Sequence, residues 1–272
     1  MIPARFDYEV ADSVEHASEL LGSREDAKLL AGGHSLIPAM KLRISRPALL
    51  VDLGRLADLR YIREAGDRIA IGALARHSDL EHSELLKAQC GLLAYTAGLI
   101  GDPQVRHRGT IGGTTAHGDP ASDTPTVLLA LDAEIVASGP GGERVIPASE
   151  FFRSVYETAL GPQDVVTEIR VPRLDGAGWS YQKFVRRAQD WATVGVAAVV
   201  RNGDASVALT NMGATPIRAR AVEGAWSGDP AAASEAAAEG TEPTDEVNAS
   251  AGFKQHLARV LTRRALEEAI SR

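Results

Sequence analysis

Two short glycine-bearing segments hold the residues of this chain best placed to do chemistry: Ala31-Gly32-Gly33-His34-Ser35-Leu36 and Thr110-Ile111-Gly112-Gly113-Thr114. Each stands between an apolar run and a helix-like run. An apolar strand that ends in Gly-Gly and turns into a helix brings backbone N–H groups close to an anion, because no Cβ intervenes and the helix dipole adds positive potential. Either segment alone is weak evidence, and the first reads equally well as a tight turn with Ser35 as helix N-cap. Together, each with a hydroxyl residue beside it, they suggest two lobes closing on a diphosphate.

Other features narrow the chemistry by exclusion. Cys90 is the sole cysteine, in an apolar setting that suits a buried thiol better than a nucleophile. A single Cys leaves no intrachain disulfide and no cysteine-held iron–sulfur cluster within the chain. Neither glycine pair follows the three-glycine spacing of a nicotinamide-binding fold, and no acidic residue stands where the ribose would need one. With 29 basic and 36 acidic side chains the net charge is −7, and no basic stripe appears, so general binding to nucleic acid or anionic membrane is not expected. Met1 to Asp7 lack the apolar core of a signal peptide, and no apolar run approaches the roughly 20 residues that span a bilayer. A cytoplasmic location is the expectation.

The elements that must position the two turns can be read from periodicity and turn chemistry. Asp12 and Glu15 resemble a capping box for a helix with Val14, Ala17, Leu20 and Leu21 on one face. A strand over 27–31 runs into the first turn, helical spacing continues through Leu36, Met40 and Ile44, and 48–53 reads as a strand. Residues 59–74 suggest a hairpin, 80–86 and 92–100 helices, 102–109 a loop, 126–131 a helix, and 133–138 and 164–171 strands. After a linker at 172–178, hairpin strands are expected at 179–185, 193–201 and 206–211, with Asn202-Gly203-Asp204 as a reversal. Residues 231–244 read as a mobile or exposed helical link, and Phe253, Leu257, Val260, Leu261, Leu266 and Ile270 share one face of a last helix. The class is α+β, with an N-terminal lobe at 1–55, a second lobe at 56–172 and a C-terminal α+β domain, antiparallel sheet and helices, at 173–272.

The motifs in order resemble a family, the FAD-binding (medium) subunits of the molybdenum hydroxylases, or xanthine dehydrogenase family, and within it the aerobic carbon monoxide dehydrogenase branch. The likeness rests on Ala31 to Leu36, on Asp102-Pro103-Gln104-Val105-Arg106-His107-Arg108-Gly109 running into Thr110-Ile111-Gly112-Gly113, and on Ala116-His117-Gly118-Asp119-Pro120-Ala121-Ser122-Asp123. Tyr181-Gln182-Lys183, Asp190-Trp191-Ala192-Thr193 and Leu261-Thr262-Arg263-Arg264-Ala265-Leu266 extend it over nearly the whole chain. The resemblance implies a two-lobed FAD-binding domain like that of the vanillyl-alcohol-oxidase type, with non-covalent FAD between the lobes. It also implies an electron-transfer role, with 2Fe-2S clusters on a small partner and molybdopterin on a large one, assembled as a dimer of heterotrimers, and a quinone or other electron acceptor.

It further implies roles by residue. Ala31, Gly32, Gly33, His34, Ser35 and Leu36 would face the FAD diphosphate, His34 as backbone donor or spacer. Thr110, Ile111, Gly112, Gly113 and Thr114 would complete the cradle, Thr114 standing where many relatives carry Asn or Ser. Ala116, His117 and Asp119 lie on the connection that runs along the ribityl chain, and Asp123 matches a carboxylate that accepts from sugar-like hydroxyls, although a helix N-terminal acid explains it too. Lys183 matches a basic residue near the flavin ring, and a solvated strand lysine fits equally. Ile100 and Val166 match apolar positions that flank the ring, where core packing predicts the same types, and Trp191 would anchor the C-terminal domain. No catalytic residue and no metal ligand is expected in this chain. The substrate of the complex, whether carbon monoxide, an N-heterocycle, an aldehyde or an aromatic thioester, would be handled elsewhere. A reading from another class, a nucleotide-binding module without redox chemistry, fits the turns alone.

Overall fold

The computed structural model describes residues 1–272 in full. The first region is a small parallel sheet built from β1 (Asp7–Val10), α1 (Val14–Ser23), β2 (Ala27–Leu30), α2 (Leu36–Lys41) and β3 (Leu49–Asp52), with strand order β1-β3-β2. Ser13, not Asp12, caps α1 by accepting from the His16 N–H at 3.0 Å, while Asp12 meets the His16 ring. α2 stops at Lys41, short of the Ile44 that helical spacing suggests, because Arg43 takes a left-handed φ of 61°. β2 is an edge strand, so the Gly32 turn leaves the sheet on its open side.

The second region carries a five-stranded antiparallel sheet, ordered β4-β5-β10-β6-β7, with helices inserted between its strands. In chain order these are β4 (Ile62–Ala65), β5 (Arg68–Gly72), α3 (His77–His82), α4 (Glu84–Gln89), α5 (Gly91–Gly98), α6 (Pro103–Arg106), α7 (Ile111–His117), α8 (Asp123–Ala130), β6 (Glu134–Gly139), β7 (Gly142–Pro147), α9 (Ala148–Phe151), the small pair β8 (Phe152–Ser154) and β9 (Glu157–Thr158), and β10 (Val165–Pro172). The helical stretch expected at 80–86 is broken at Ser83, whose hydroxyl caps α4 by accepting from the Leu86 N–H. One turn of helix, capped by Asp102, lies within the expected loop at 102–109.

The third region is the antiparallel sheet β11 (Gly178–Phe184), β12 (Val194–Arg201), β13 (Asp204–Thr210) and β14 (Ile217–Arg218), followed by α10 (Arg220–Ala225), α11 (Pro230–Ser234) and α12 (Ala251–Ser271). Side chains alternate across a strand, and β12 uses that period to serve two cores. Val194, Val196 and Ala198 pack with Leu257, Leu261 and Leu266 of α12, whereas Ala197 and Val199 join the core of the second region. The expected exposed link at 231–244 is in part a packed element: Ala233 and Ala237 are fully buried in the α12 core. Trp191 is 57% exposed and so anchors no core. Cys90 is fully buried between α4 and α5, and burial pushes its thiol up to about 12. No helix is long and apolar enough to cross a membrane.

Candidate functional site

The first glycine turn joins the end of β2 to the start of α2. Gly33 takes φ +77°, a left-handed conformation that glycine adopts without strain. The N–H groups of Gly32, Gly33, His34, Ser35 and Leu36 have no acceptor in the chain. Ser35 stands at the head of α2 without making a side-chain cap bond, so its hydroxyl remains available together with the N–H groups. His34 is exposed and the rest of the turn is half-buried.

The second turn is built differently. Thr110 caps α7 through its hydroxyl, which accepts from the Gly113 N–H at 3.1 Å. The Ile111 and Gly112 N–H groups donate to the carbonyls of Ala75 and Ala73 at 3.0 and 2.9 Å, and Thr114 N–H donates to Thr110 O at 3.0 Å. Gly112 is required for close packing: a Cβ there would lie 2.5 Å from the Ala73 Cβ. The glycines of this pair are therefore inside the first helical turn, with their N–H groups already bonded. What α7 turns outward is its half-buried face, Gly113, Thr114, Ala116 and His117.

The two turns meet. A Cβ on Gly32 would run into the Arg108 carbonyl and lie 2.8 Å from Gly109 Cα, and one on Gly113 would reach Ala31 Cβ at 3.9 Å. Beside this junction is a cleft of about 320 Å³ lined by Ala31, Asp52, Arg60, Arg76, Arg108 and Thr110, with Leu30, Gly54 and Leu74. Three arginines and one aspartate are among its lining residues, and Asp52 is already engaged by the Tyr8 hydroxyl and by Gly54 N–H. The balance favours an anion. Free N–H groups, a free hydroxyl and arginines suit the acceptor-only oxygens of a diphosphate, so the residues present fit FAD.

Farther along, the loop after α7 and the head of α8 meet the third region. Tyr181 and Lys183 stand two apart on one face of β11 and converge on Asp123: Tyr181 Oη donates to Oδ1 at 2.7 Å and Lys183 Nζ to Oδ2 at 2.8 Å. Lys183 also donates to Leu99 O at 3.2 Å, directly before Ile100. The pair is buried, with side chains 8% and 5% exposed, so Lys183 is not a solvated strand lysine. Burial raises the Asp123 pKa, and the ammonium and phenol oppose it. Thr210 links Tyr181 (3.0 Å) to Thr126 (2.8 Å), and Asn211 N–H donates to Pro120 O at 2.9 Å. This seam ties the sheet of the third region to the 119–126 segment.

His117 stacks on Tyr156 with centroids 4.9 Å apart, and burial lowers its pKa. Asp119 accepts from Ala121 N–H at 2.9 Å and from the Tyr156 hydroxyl at 3.3 Å. Val166 is buried in the central sheet and Ile100 is half-buried. Sequence reasoning did not single out Tyr156, His77, Tyr181 as a carboxylate partner, or the cleft arginines. Only the period-2 spacing of Tyr181 and Lys183 offered a signal.

Residues 4–174 match the FAD binding domain in molybdopterin dehydrogenase, and residues 179–269 match the CO dehydrogenase flavoprotein C-terminal domain. The chain is 44% identical to the carbon monoxide dehydrogenase medium chain of Hydrogenophaga pseudoflava, covering 100% of this chain and 99% of that one. It is 41% identical to subunit alpha of the 6-hydroxypseudooxynicotine dehydrogenase complex of Paenarthrobacter nicotinovorans, covering 100% and 97%. Among solved structures, carbon monoxide dehydrogenase from H. pseudoflava lacking the Mo-pyranopterin moiety superposes with a TM-score of 0.96, at 44% identity over 100% of this chain and 99% of that one.

Proposed function

Because this chain belongs to the FAD-binding medium subunits of the molybdenum hydroxylases, we propose that it is the outlet for electrons of a larger complex, receiving them from partner 2Fe-2S clusters and passing them to a quinone or another acceptor. Bound FAD supplies a carrier able to exchange electrons both singly and in pairs. The chain's own residues bind and orient it non-covalently. The Gly32–Leu36 N–H groups and the Ser35 hydroxyl hold the diphosphate, and Arg60, Arg76 and Arg108 balance its charge. Lys183 forms the polar end near the ring, with Ile100 and Val166 as its apolar flank, and Asp123, fixed by Tyr181 and Lys183, is the carboxylate for the sugar-like hydroxyls. The observation that carries this reading is the run of unpartnered N–H groups where the two lobes meet.

The oxidised substrate belongs to the large partner. Relatives of near-equal identity are named for carbon monoxide and for 6-hydroxypseudooxynicotine, which supports a shared outlet serving different substrates. Carbon monoxide is the first substrate to test, and an N-heterocycle, aldehyde or aromatic thioester the alternative. Small iron–sulfur and large molybdenum subunits would assemble with the chain as a dimer of heterotrimers in the cytoplasm, at the inner face of the membrane where a quinone is the acceptor.

The test is anaerobic stopped-flow absorbance, following cluster and flavin bands separately. The FAD-loaded chain alone should leave carbon monoxide, purines and aldehydes untouched, while the assembled complex should show cluster reduction followed by flavin reduction. Direct reduction of the isolated flavoprotein by any of these substrates would sink the relay role. A chain that binds mononucleotides but shows no flavin spectrum after loading would favour the non-redox module.

A further inference from the structure

Below the junction of the two turns lies a buried imidazole. His77, the first residue of α3, is 2% exposed. Its backbone N–H donates to Gly109 O at 3.0 Å, and a Cβ on Gly109 would come 2.8 Å from its Cδ2. Gly109 Cα is in turn 2.8 Å from where a Gly32 Cβ would stand. The ring therefore supports the point at which the loop before α7 presses on the first glycine turn. Nε2 lies 3.0 Å from Thr114 Oγ1, whereas Nδ1 is buried with no partner.

That asymmetry fixes the tautomer. Burial, with Arg106 as the charge that reinforces it, holds the ring neutral, and a neutral imidazole carries one N–H. A buried N–H without an acceptor is the rarer and costlier orphan, so the proton belongs on Nε2, where Thr114 Oγ1 accepts it. A hydroxyl oxygen that accepts in this way keeps its own hydrogen to give. Neighbouring Thr115 donates its hydroxyl to Ile111 O at 2.9 Å within the helix, but the Thr114 hydroxyl is engaged with His77.

We propose that His77 is a positioning residue that makes the Thr114 hydroxyl a dedicated hydrogen-bond donor to the FAD diphosphate held on the Gly32–Leu36 turn. The proposal rests on the FAD reading above and deepens it. Because the N–H groups of Ile111, Gly112, Gly113 and Thr114 are spent inside the chain, α7 can reach the ligand only through a side-chain donor. Thr114 lies on the half-buried face of α7, beside Gly113, the residue that faces Ala31. An acceptor-only phosphate oxygen suits that hydroxyl.

The test is FAD binding to the full chain by flavin fluorescence, with 31P NMR of the bound diphosphate. Thr114→Val should weaken binding about tenfold, as expected for losing one hydrogen bond to a charged group, and Thr114→Ser should restore it. His77→Leu should weaken binding nearly as much and shift the same phosphorus resonance, His77→Gln should recover part of both, and the double variant should be no worse than Thr114→Val. Losses that add in the double variant, or wild-type affinity in Thr114→Val, would overturn the relay while leaving FAD binding intact. A wild-type chain that takes up no FAD would overturn the FAD reading instead. Should His77→Leu fail to fold, the Thr114 pair and His77→Gln decide the matter.

Discussion

Between Gly32 and Leu36 consecutive N–H groups meet no acceptor in the chain, whereas those of Ile111 to Thr114 are all bonded within it. Both segments contain a glycine pair, but the glycines solve different problems. Gly33 lets the backbone turn through a left-handed conformation and present its donors outward, while Gly112 lets a helix lie against Ala73. The first turn is completed by what it binds, and the second, with the Asp123 seam beyond it, by the protein itself. Changes to the first turn should act on the ligand, and changes to the packed backbone of the second, the Thr114 hydroxyl apart, on the fold.

Lys183→Met is the severest test of that division. It strands a buried carboxylate, a defect that costs about 3–5 kcal/mol when one partner of a buried pair is removed. Urea unfolding of the ligand-free chain should show this loss; unchanged stability would mean that the seam is not self-contained. Acid comes next. Burial lowers the His77 pKa from 6.5 to about 4, so between those values the unfolded chain binds the proton that the native chain refuses. Stability should be unaffected by this group above pH 6.5 and should fall by up to about 3 kcal/mol as pH drops to 4, with His77→Gln flattening that slope. A wild-type profile no steeper than the variant's would place the ring in a wetter setting than the fold shows.

Gly33→Val sharpens the other side of the comparison. The left-handed φ should cost about 1–2 kcal/mol, visible in the unfolding midpoint, and FAD occupancy should fall much further than helical circular dichroism does. Full occupancy would remove the turn from the binding site. Ser35→Ala should be the mildest: stability within about 0.5 kcal/mol of wild type, because the hydroxyl caps nothing, and FAD affinity reduced about fivefold. A stability loss typical of a lost N-cap would restore the capping role that the sequence alone suggests.

The regular elements were legible because their signals are local. The edge turn at Gly32, the β11–β12–β13 hairpins and the apolar face of α12 follow from periodicity and turn residues within a few positions. The site was legible as motifs but not as contacts. Asp123 reads in isolation as a helix N-terminal acid or a ligand acceptor, and only folding brings Tyr181 and Lys183 onto it from far along the chain. His77 has no local signal, since its meaning arises where α3, Gly109 and α7 cross. The Ala-rich segment after Asp229 misled for the opposite reason: small side chains look solvent-tolerant in sequence, yet Ala233 and Ala237 fit against α12 because they are small.

Cys90 also bears on how the protein can be handled. With its thiol buried and its pKa pushed up to about 12, almost none of it is thiolate at pH 7. The chain should thus resist alkylating reagents and mild oxidants. Any inactivation of an assembled complex by iodoacetamide would point to sulfur on another subunit. Conversely, a cysteine placed on the exposed Trp191 loop would be the one reactive thiol of the chain, a single addressable point for a spin label or fluorophore with no background to subtract.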